Sequence, residues 1–383
     1  RRSMAAWKRK GGVHRFERPL IGGMEARGYR TEFAQAIFQQ MLGFGEYGFP
    51  ESHAHSFALL AYASSWLKCH EPACFLAALL NSLPMGFYSA SQLVKDARRH
   101  GVRVLPIDVT VSDIDCALEG NPEPLRPARG LRAPPLPQPA VRLGLRMVSS
   151  LHGDAAKRML QARATGPAFA STEDLALRAQ LSQQDLQALA AADALASLSG
   201  HRRQQMWDAA AQHSAPPLWR DVPVHEAPLQ LPEAPEGEEI LFDYAATGLT
   251  LRRHPLALLR PRLARWRLQT ALQLHSAAHG RKVRACGIVT VRQRPGTAKG
   301  TMFVTLEDET GPVNVIVWPA LVDVWRNALL RSQLLAVEGV WQCSPGALGS
   351  KAMVRHLVAQ RFKDLTPLLG RMAQALQGSR DFH

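Results

Sequence analysis

The sequence has no run of about 18 apolar residues, so it offers no candidate for a membrane-spanning helix. Its first residues, RRSMAAWKRK, carry no apolar stretch behind their charges and do not read as a secretory signal. No initiator Met stands ahead of them, and the chain is expected to begin inside a longer protein. Cysteine is scarce. The five present (Cys69, Cys74, Cys116, Cys286 and Cys343) are scattered and odd in number, with no CxxC pair. That argues against a disulfide framework and fits free thiols in a reducing cytoplasm. Also missing are a Walker loop and a nucleophile elbow, which removes the commonest nucleotide-hydrolase and serine-hydrolase readings. Lysine is rare beside arginine: 9 of the 46 basic residues are Lys and 37 are Arg.

The charge that is present is strongly segregated. The whole 383-residue chain has a net charge of +14. Residues 1–20 carry seven basic side chains and one acid, and residues 251–300 carry twelve and no acid, whereas residues 221–243 hold seven acids and no Lys or Arg. Blocks of one sign make strong local fields, and a basic excess dominated by Arg suits phosphate, because the planar guanidinium donates two parallel hydrogen bonds. A nucleic-acid partner is the favoured reading. Two blander accounts stay open: the blocks neutralise each other within the fold, or a GC-rich genome favours Arg codons.

Length allows two to four domains, and the pattern of the chain divides it further. Residues 1–118 read as helices. Thr31–Leu42 carries an apolar stripe of Phe33, Ala34, Ile37, Phe38 and Met41, and Pro72 breaks the long apolar stretch Ser56–Leu83. A Pro-rich linker at 119–140 is not expected to contribute to a core. Residues 141–214 are again helical, with GLRMVSSLHGDAAKRML shaped as a helix–turn–helix. An acidic Pro-rich linker follows at 215–240, then a basic helical connector at 241–280 with one amphipathic helix over His254–Leu274. Residues 281–365 change to strand-length, β-branched segments in the order three strands, a helix, two strands, which is the chain order of an OB-fold. Residues 366–383 form a tail. The expected class is therefore multidomain α+β, a helical region followed by an OB-fold β-barrel.

Three groups of residues stand out. Arg1, Arg2, Lys8 and Lys10 (with Arg9) could converge on a polyphosphate, or simply form a solvated basic face. Ser52 and His53 stand at the start of a helix, where backbone N–H groups and an imidazole could meet a phosphate, or where Ser52 only caps the helix. In the barrel, Arg281, Lys282, Arg284, Arg292, Arg294 and Lys299 adjoin Phe303, with Trp318 and Trp341 on neighbouring strands. A basic groove with aromatic platforms is the chemistry of single-strand binding. The set His53, His55, Cys69, His70 and Cys74 matches no zinc spacing, and Asp108, Asp113 and Asp115 read as turn residues. No metal site and no catalytic residue is expected in this chain.

Longer motifs carry a resemblance. RRSMAAWKRKGG, FGEYGFPESHAHSFALLAYASSWLKCHEPACFLAALLNS and DARRHGVRVLPIDVTVSD resemble the end of the fingers domain of bacterial C-family replicative DNA polymerases. GLRMVSSL and ALAAADALASLSGHRRQ resemble the tandem helix–hairpin–helix region of that family. ATGLTLRRHPLALLRPRL, RQRPGTAKGTMFVTLEDETGPVNVIVWP and the closing SRDFH resemble its error-prone, damage-induced branch. The resemblance covers nearly the whole chain.

It implies that residues 1–118 are the end of a fingers domain. The full protein would be a DNA-directed DNA polymerase acting in translesion synthesis and damage-induced mutagenesis, with Mg2+ held by palm-domain carboxylates that this chain does not contain. Arg1 and Arg2 match a pair that contacts the incoming deoxynucleoside triphosphate, Lys8 and Lys10 the basic run beside it, and Ser52 and His53 the SH of the fingers motif. The implied partners are primer–template, single-stranded template and mutagenesis accessory proteins. APPLWRDVPVHEAPLQLPEAPEGEEI lacks a Gln-led apolar clamp motif, so the sliding clamp would be reached only indirectly. No membrane partner is expected, and the location is cytoplasmic, on the nucleoid. Ser150 and His152 stand where the first hairpin of the family has glycines, and Asp193 where the second has one. The alternative readings are a non-catalytic single-strand-binding protein and a protein-interaction scaffold.

Overall fold

The computed structural model describes residues 16–47, 51–86, 88–127, 136–211, 229–295, 298–345, 353–375 and 380–382, with backbone alone for 42–47, 51–53, 375 and 380–382. It divides into two compact units, residues 1–70 and 71–383.

The first unit is helical: α1 (Glu17–Glu25), α2 (Thr31–Tyr47) and α3 (Glu51–His70). In α2, Ala34 and Phe38 are buried while Phe33 is half exposed. The helix runs past the expected stop at Leu42, through Gly43 and Gly45. Each glycine costs a helix about 1 kcal/mol and does not forbid it.

The second unit opens with α4 (Pro72–Asn81) and α5 (Ala90–Arg99). Pro72 starts α4, where its missing N–H would have been an unpaired donor anyway. Ala73, Leu76, Ala77 and Leu80 then fall on one buried face, spaced by three and four. Ser89 and Gln92 form a capping box at the start of α5.

A small sheet follows, in the order β1 (Val104–Leu105), β3 (Gln138–Arg142), β2 (Ala117–Glu123). The stretch expected to be a linker at 119–140 thus begins and ends in strands, and Gln138 and Ala140 within it are buried. The prolines misled for a physical reason. Pro122 lies on the exposed edge strand β2, and Pro139 falls where the β2–β3 register skips, so neither removes a ladder bond. Gln138, itself buried, fastens this sheet to α4: its Oε1 accepts from the Ala73 N–H at 3.2 Å.

The next elements are α6 (Gly153–Thr165), α7 (Thr172–Arg178), α8 (Gln183–Ala191), α9 (Ala196–Ser199) and α10 (Arg202–Ala211). Their apolar faces (Met159, Leu175, Leu186, Leu189) share one core with α4, α5 and the small sheet. Residues 73–116 therefore pack as one body with the hairpin region.

The connector holds α11 (Glu236–Thr247), α12 (Pro255–Arg265) and α13 (Ala271–His275). The single helix expected over His254–Leu274 is two, because the chain turns at Arg267 with φ +57°. Ile240, Tyr244, Leu256 and Leu263 pack on Cys286, Ile288, Leu334 and Ala336, a second apolar layer outside the barrel. Burial pushes the Cys286 thiol up to about 12.

The barrel is β4 (Lys282–Gln293), β5 (Met302–Glu307), β6 (Pro312–Val317), β7 (Leu334–Pro345) and β8 (Met353–Asp364), with α14 (Pro319–Val324) and α15 (Arg326–Arg331) between β6 and β7. Neighbours run β5-β6-β8-β7-β4, and β4 pairs back to β5, closing the sheet. The expected three strands, helix, two strands are borne out, with the helix in two pieces. Val283, Ala285, Val304, Leu306, Val315, Val337, Trp341 and Leu357 fill the interior. Gly339 permits the tight β7–β8 contact, since a Cβ there would stand 2.0 Å from the Val358 carbonyl oxygen. In the tail lie α16 (Met372–Ala375) and β9 (Arg380–Phe382), the latter parallel to β4 beyond Ile288, where β7 has ended.

Helices and barrel meet at a seam of charge. Glu307 of β5, nearly buried, receives Lys95 and Arg99 of α5, each at 3.3 Å. Next to it in sequence, Asp308 and Glu309 both pair with Arg260 of α12. Asp308 also accepts from the Ala271 N–H at the start of α13.

Candidate nucleic-acid interface

The cations expected to face DNA separate into groups. Arg294, Lys299, Phe303 and Trp318 gather at one end of the barrel. Arg294 follows β4 directly, Lys299 sits further along the same loop at φ +48°, and a Cβ on Gly300 would come 3.6 Å from the Arg294 guanidinium. Phe303 points outward between buried Met302 and Val304, 37% exposed, and Trp318, just past β6, is 53% exposed. Phe303 is paired with Gln293 of β4 on one side and Ile316 of β6 on the other, so a cationic loop borders an aromatic strand face. Among the described residues, neither Arg294 nor Lys299 has a carboxylate within ion-pair distance.

Arg281 and Lys282 are exposed too, but at the far end of β4, up to roughly 40 Å away at about 3.3 Å per residue. Arg284 is half exposed and pairs with Glu338 at 2.9 Å.

Two expectations require correction. Arg292 does not face solvent. It is only 6% exposed, and its guanidinium donates to the carbonyls of Leu329 and Ser332, closing the end of α15 against β4. Trp341 is no platform either, being 2% exposed inside the barrel. The reasons differ: Trp341 lies on the inward face of β7 with the barrel core, whereas Arg292 lies where α15 covers β4.

The hairpin turns carry the backbone that the sequence implied. Ser150 and Asp193 both adopt left-handed φ, +65° and +60°, which glycine takes without strain. Asp193 is used for something else. Its carboxylate accepts from Gln205 at 2.7 Å and pairs with Arg252 at 2.8 Å, so it points into the protein. At the first turn, exposed His152 bonds through Nδ1 to buried Asp185 at 2.8 Å. Burial opposes the charge of Asp185, but hydrogen bonds from Ser182 and His152 outweigh it and hold the carboxyl below its usual range.

The acidic block also finds internal partners. Glu239 and Asp243 of α11, with Asp193, surround Arg202, whose side chain is 1% exposed, and the same three carboxylates reach Arg252. Burial raises the Glu239 carboxyl above its usual range despite both guanidiniums. Glu236 pairs with Arg253. Part of the basic block is therefore neutralised within the fold, as the blander account held. Arg262, Arg265, Arg267, Arg281, Lys282, Arg294 and Lys299 have no carboxylate at ion-pair distance among the described residues. Sequence reasoning passed over two further exposed cations, Arg361 and Lys363; the period-two pattern of β8 around buried Phe362 was the available signal.

Ser52 and His53 fall in the first turn of α3, with side chains outside the described residues, and Arg1, Arg2, Lys8 and Lys10 lie outside them altogether. Asp108, Asp113 and Asp115 are committed to Thr110 and Ser197, to Arg163 and to Arg146. They do not fit a metal site, and no three His, Cys, Asp or Glu side chains converge among the described residues. Cys69 is exposed and Cys74 half-buried. No described helix is long and apolar enough to cross a membrane.

Comparison with known families defines the class. Residues 101–205 match a helix-hairpin-helix motif, and residues 283–365 match an OB-fold nucleic acid binding domain. Along its whole length the chain is similar to error-prone DNA polymerases. It is 56% identical to that of Bordetella parapertussis over 386 residues, 55% to that of Burkholderia pseudomallei over 384, and 52% to that of Methylococcus capsulatus over 387. The chain covers 35%, 34% and 36% of these relatives, about a third of their length. The resemblance read from the motifs is borne out.

Proposed function

We propose that this chain is the nucleic-acid-handling part of an error-prone DNA polymerase that copies damaged templates. The observation that carries the reading is the likeness to error-prone DNA polymerases over the full chain, joined to an exposed cationic loop beside aromatic side chains on the barrel. In the full protein, a DNA-directed DNA polymerase, Mg2+ would serve at carboxylates outside this chain. Here Arg1 and Arg2, with Lys8, Lys10, Ser52 and His53, would hold the triphosphate of the incoming deoxynucleotide. The hairpins would rest on primer–template. Arg294, Lys299 and Phe303 would take the single-stranded template, with Arg281, Lys282 and Arg284 continuing the basic track. Accessory mutagenesis proteins would recruit the enzyme, the sliding clamp only through them, in the cytoplasm on the nucleoid.

The test is single-strand affinity of this chain across a salt series. With about six phosphate contacts, log K should fall against log salt with a slope near −4. Arg294→Glu with Lys299→Glu should make the slope shallower by about 1.4 and weaken binding roughly ten-fold or more at low salt. An unchanged slope would take the loop out of the interface. The whole protein should extend a primer across an abasic template and the isolated chain should not. Extension by the pure chain would refute the division of labour.

A further inference from the structure

A second site lies on the barrel wall away from the Arg294 loop. A cavity of about 410 Å³ opens between β7, β8 and the turn after α12, lined among others by Trp266, Trp325, Arg284, Glu338, Arg361 and Lys363. Its polar wall is set by register. Arg284, Glu338 and Arg361 stand directly opposite one another across β4, β7 and β8, and Lys363 stands opposite Ala336 one pleat further on. Side chains in such a row share a face. Glu338 is taken by Arg284, so the wall presents Arg361 and Lys363 as uncompensated cations. Its apolar wall is Trp266, 39% exposed, and Trp325, which is braced edge-on by Phe362 with ring centroids 6.1 Å apart.

Lys363 and Arg262 both reach the Trp266 ring, at 5.5 and 5.6 Å from its centroid. Each is a long exposed side chain, and a base stacked on an indole is worth more than a cation over an exposed ring. A flat ligand therefore displaces one of them, and the displaced cation remains within reach of the ligand's own charge. Cations on the rim exclude an ammonium ligand, and the aromatic wall with few polar atoms disfavours a small inorganic anion. A planar aromatic group joined to an anion satisfies both walls.

We infer that this cavity is a nucleotide pocket: a nucleobase stacks on Trp266 and its phosphate is held by Arg361, Lys363 and Arg262. The inference rests on the proposed nucleic-acid reading and adds to it a site separate from the loop. Two sources share this chemistry, a nucleotide within a single strand and a free mononucleotide.

The whole chain is titrated with a short oligodeoxynucleotide, with an abasic strand of equal length, and with a deoxynucleoside triphosphate. Trp266→Ala is expected to weaken the ligand that uses the pocket about ten-fold, while Trp266→Phe retains most of the affinity. Lys363→Glu, an exposed change that leaves the core untouched, is expected to weaken the same ligand several-fold. Loss confined to the oligodeoxynucleotide assigns the pocket to the strand, and loss confined to the triphosphate assigns it to the free nucleotide. The abasic strand should not respond to Trp266→Ala. If the parent chain binds the oligodeoxynucleotide and neither Trp266→Ala nor Lys363→Glu alters the affinity of any ligand, the pocket is overturned and the loop reading stands. If the parent chain binds no ligand at low salt, the nucleic-acid reading fails first and the pocket with it.

Discussion

Replacing Arg202 with methionine is expected to cost about 3–5 kcal/mol of unfolding free energy, the range for removing one member of a buried charge cluster. Arg202 is among the most deeply buried side chains of the molecule. Its guanidinium meets Glu239 at 2.9 Å and also holds Asp243 and the Glu239 backbone carbonyl. Without it, Arg252 is the one cation left to the three carboxylates among the described residues, and Glu239 is already one that burial disfavours as an anion. Methionine matches much of the stem and supplies no charge, so the loss reports the cluster rather than a cavity. Urea unfolding should show a lower midpoint at unchanged slope. Arg253→Met, which breaks the exposed pair with Glu236, should shift the midpoint far less. Equal shifts would mean that the cluster does not hold α11 to the hairpins. Against a total of about 5–15 kcal/mol for a domain, the expected loss is a substantial share.

Acid should destabilise the protein through His254, and an asparagine there should remove that sensitivity. His254 caps α12: its Nδ1 accepts from the Leu256 N–H at 3.1 Å, and its buried Nε2 has no hydrogen-bond partner among the described residues. Burial first, and then Lys95, Arg99 and Arg260, push the imidazole well below its usual value. The unfolded chain therefore binds this proton more readily than the native one. Stability should be full above the unfolded value of about 6.5 and decline as pH falls below it, by at most about 1.4 kcal/mol per pH unit, until the folded value is reached. Glu239 acts with the opposite sign, contributing fully below its ordinary value and less as pH rises through its raised one. His254→Asn keeps an N-cap acceptor and cannot be protonated. Thermal melting from pH 7.5 to 5.5 should show a decline in the parent and a flatter profile in the variant. Parallel profiles would remove His254 as the cause.

Some of this architecture was legible in the residues and some was not, for physical reasons. The barrel was readable because β-branched residues at strand spacing, with a short helix in the right interval, have few alternative packings. Left-handed turns at Ser150 and Asp193 followed from the family motif, since that backbone is required whatever residue occupies it. Strands β2 and β3 escaped notice because prolines argue against pairing unless one knows which edge is free. Of the interface candidates, Arg294, Lys299 and Phe303 are drawn together, whereas Arg292 and Arg294 lie two residues apart with opposite fates. Composition counts both as positive charge. Only the covering of β4 by α15 separates them, and that is a tertiary fact. The destination of Asp193, a salt link to Arg252 of the connector, was equally out of reach, because it joins residues 59 positions apart.

The seam of Lys95, Arg99 and Arg260 against Glu307, Asp308 and Glu309 fixes the barrel to the helical body through both its flanks. Under the proposed function this makes the molecule bivalent rather than merely composite. A template that touches the hairpins meets the barrel as an intramolecular event, at an effective concentration on the order of millimolar. Hairpins whose glycines have been replaced, and a barrel whose uncompensated cations are divided between separate patches, then need no great affinity of their own. Each arm can release and rebind while the other holds, which suits a polymerase that must let go of an ill-shaped lesion without losing the strand.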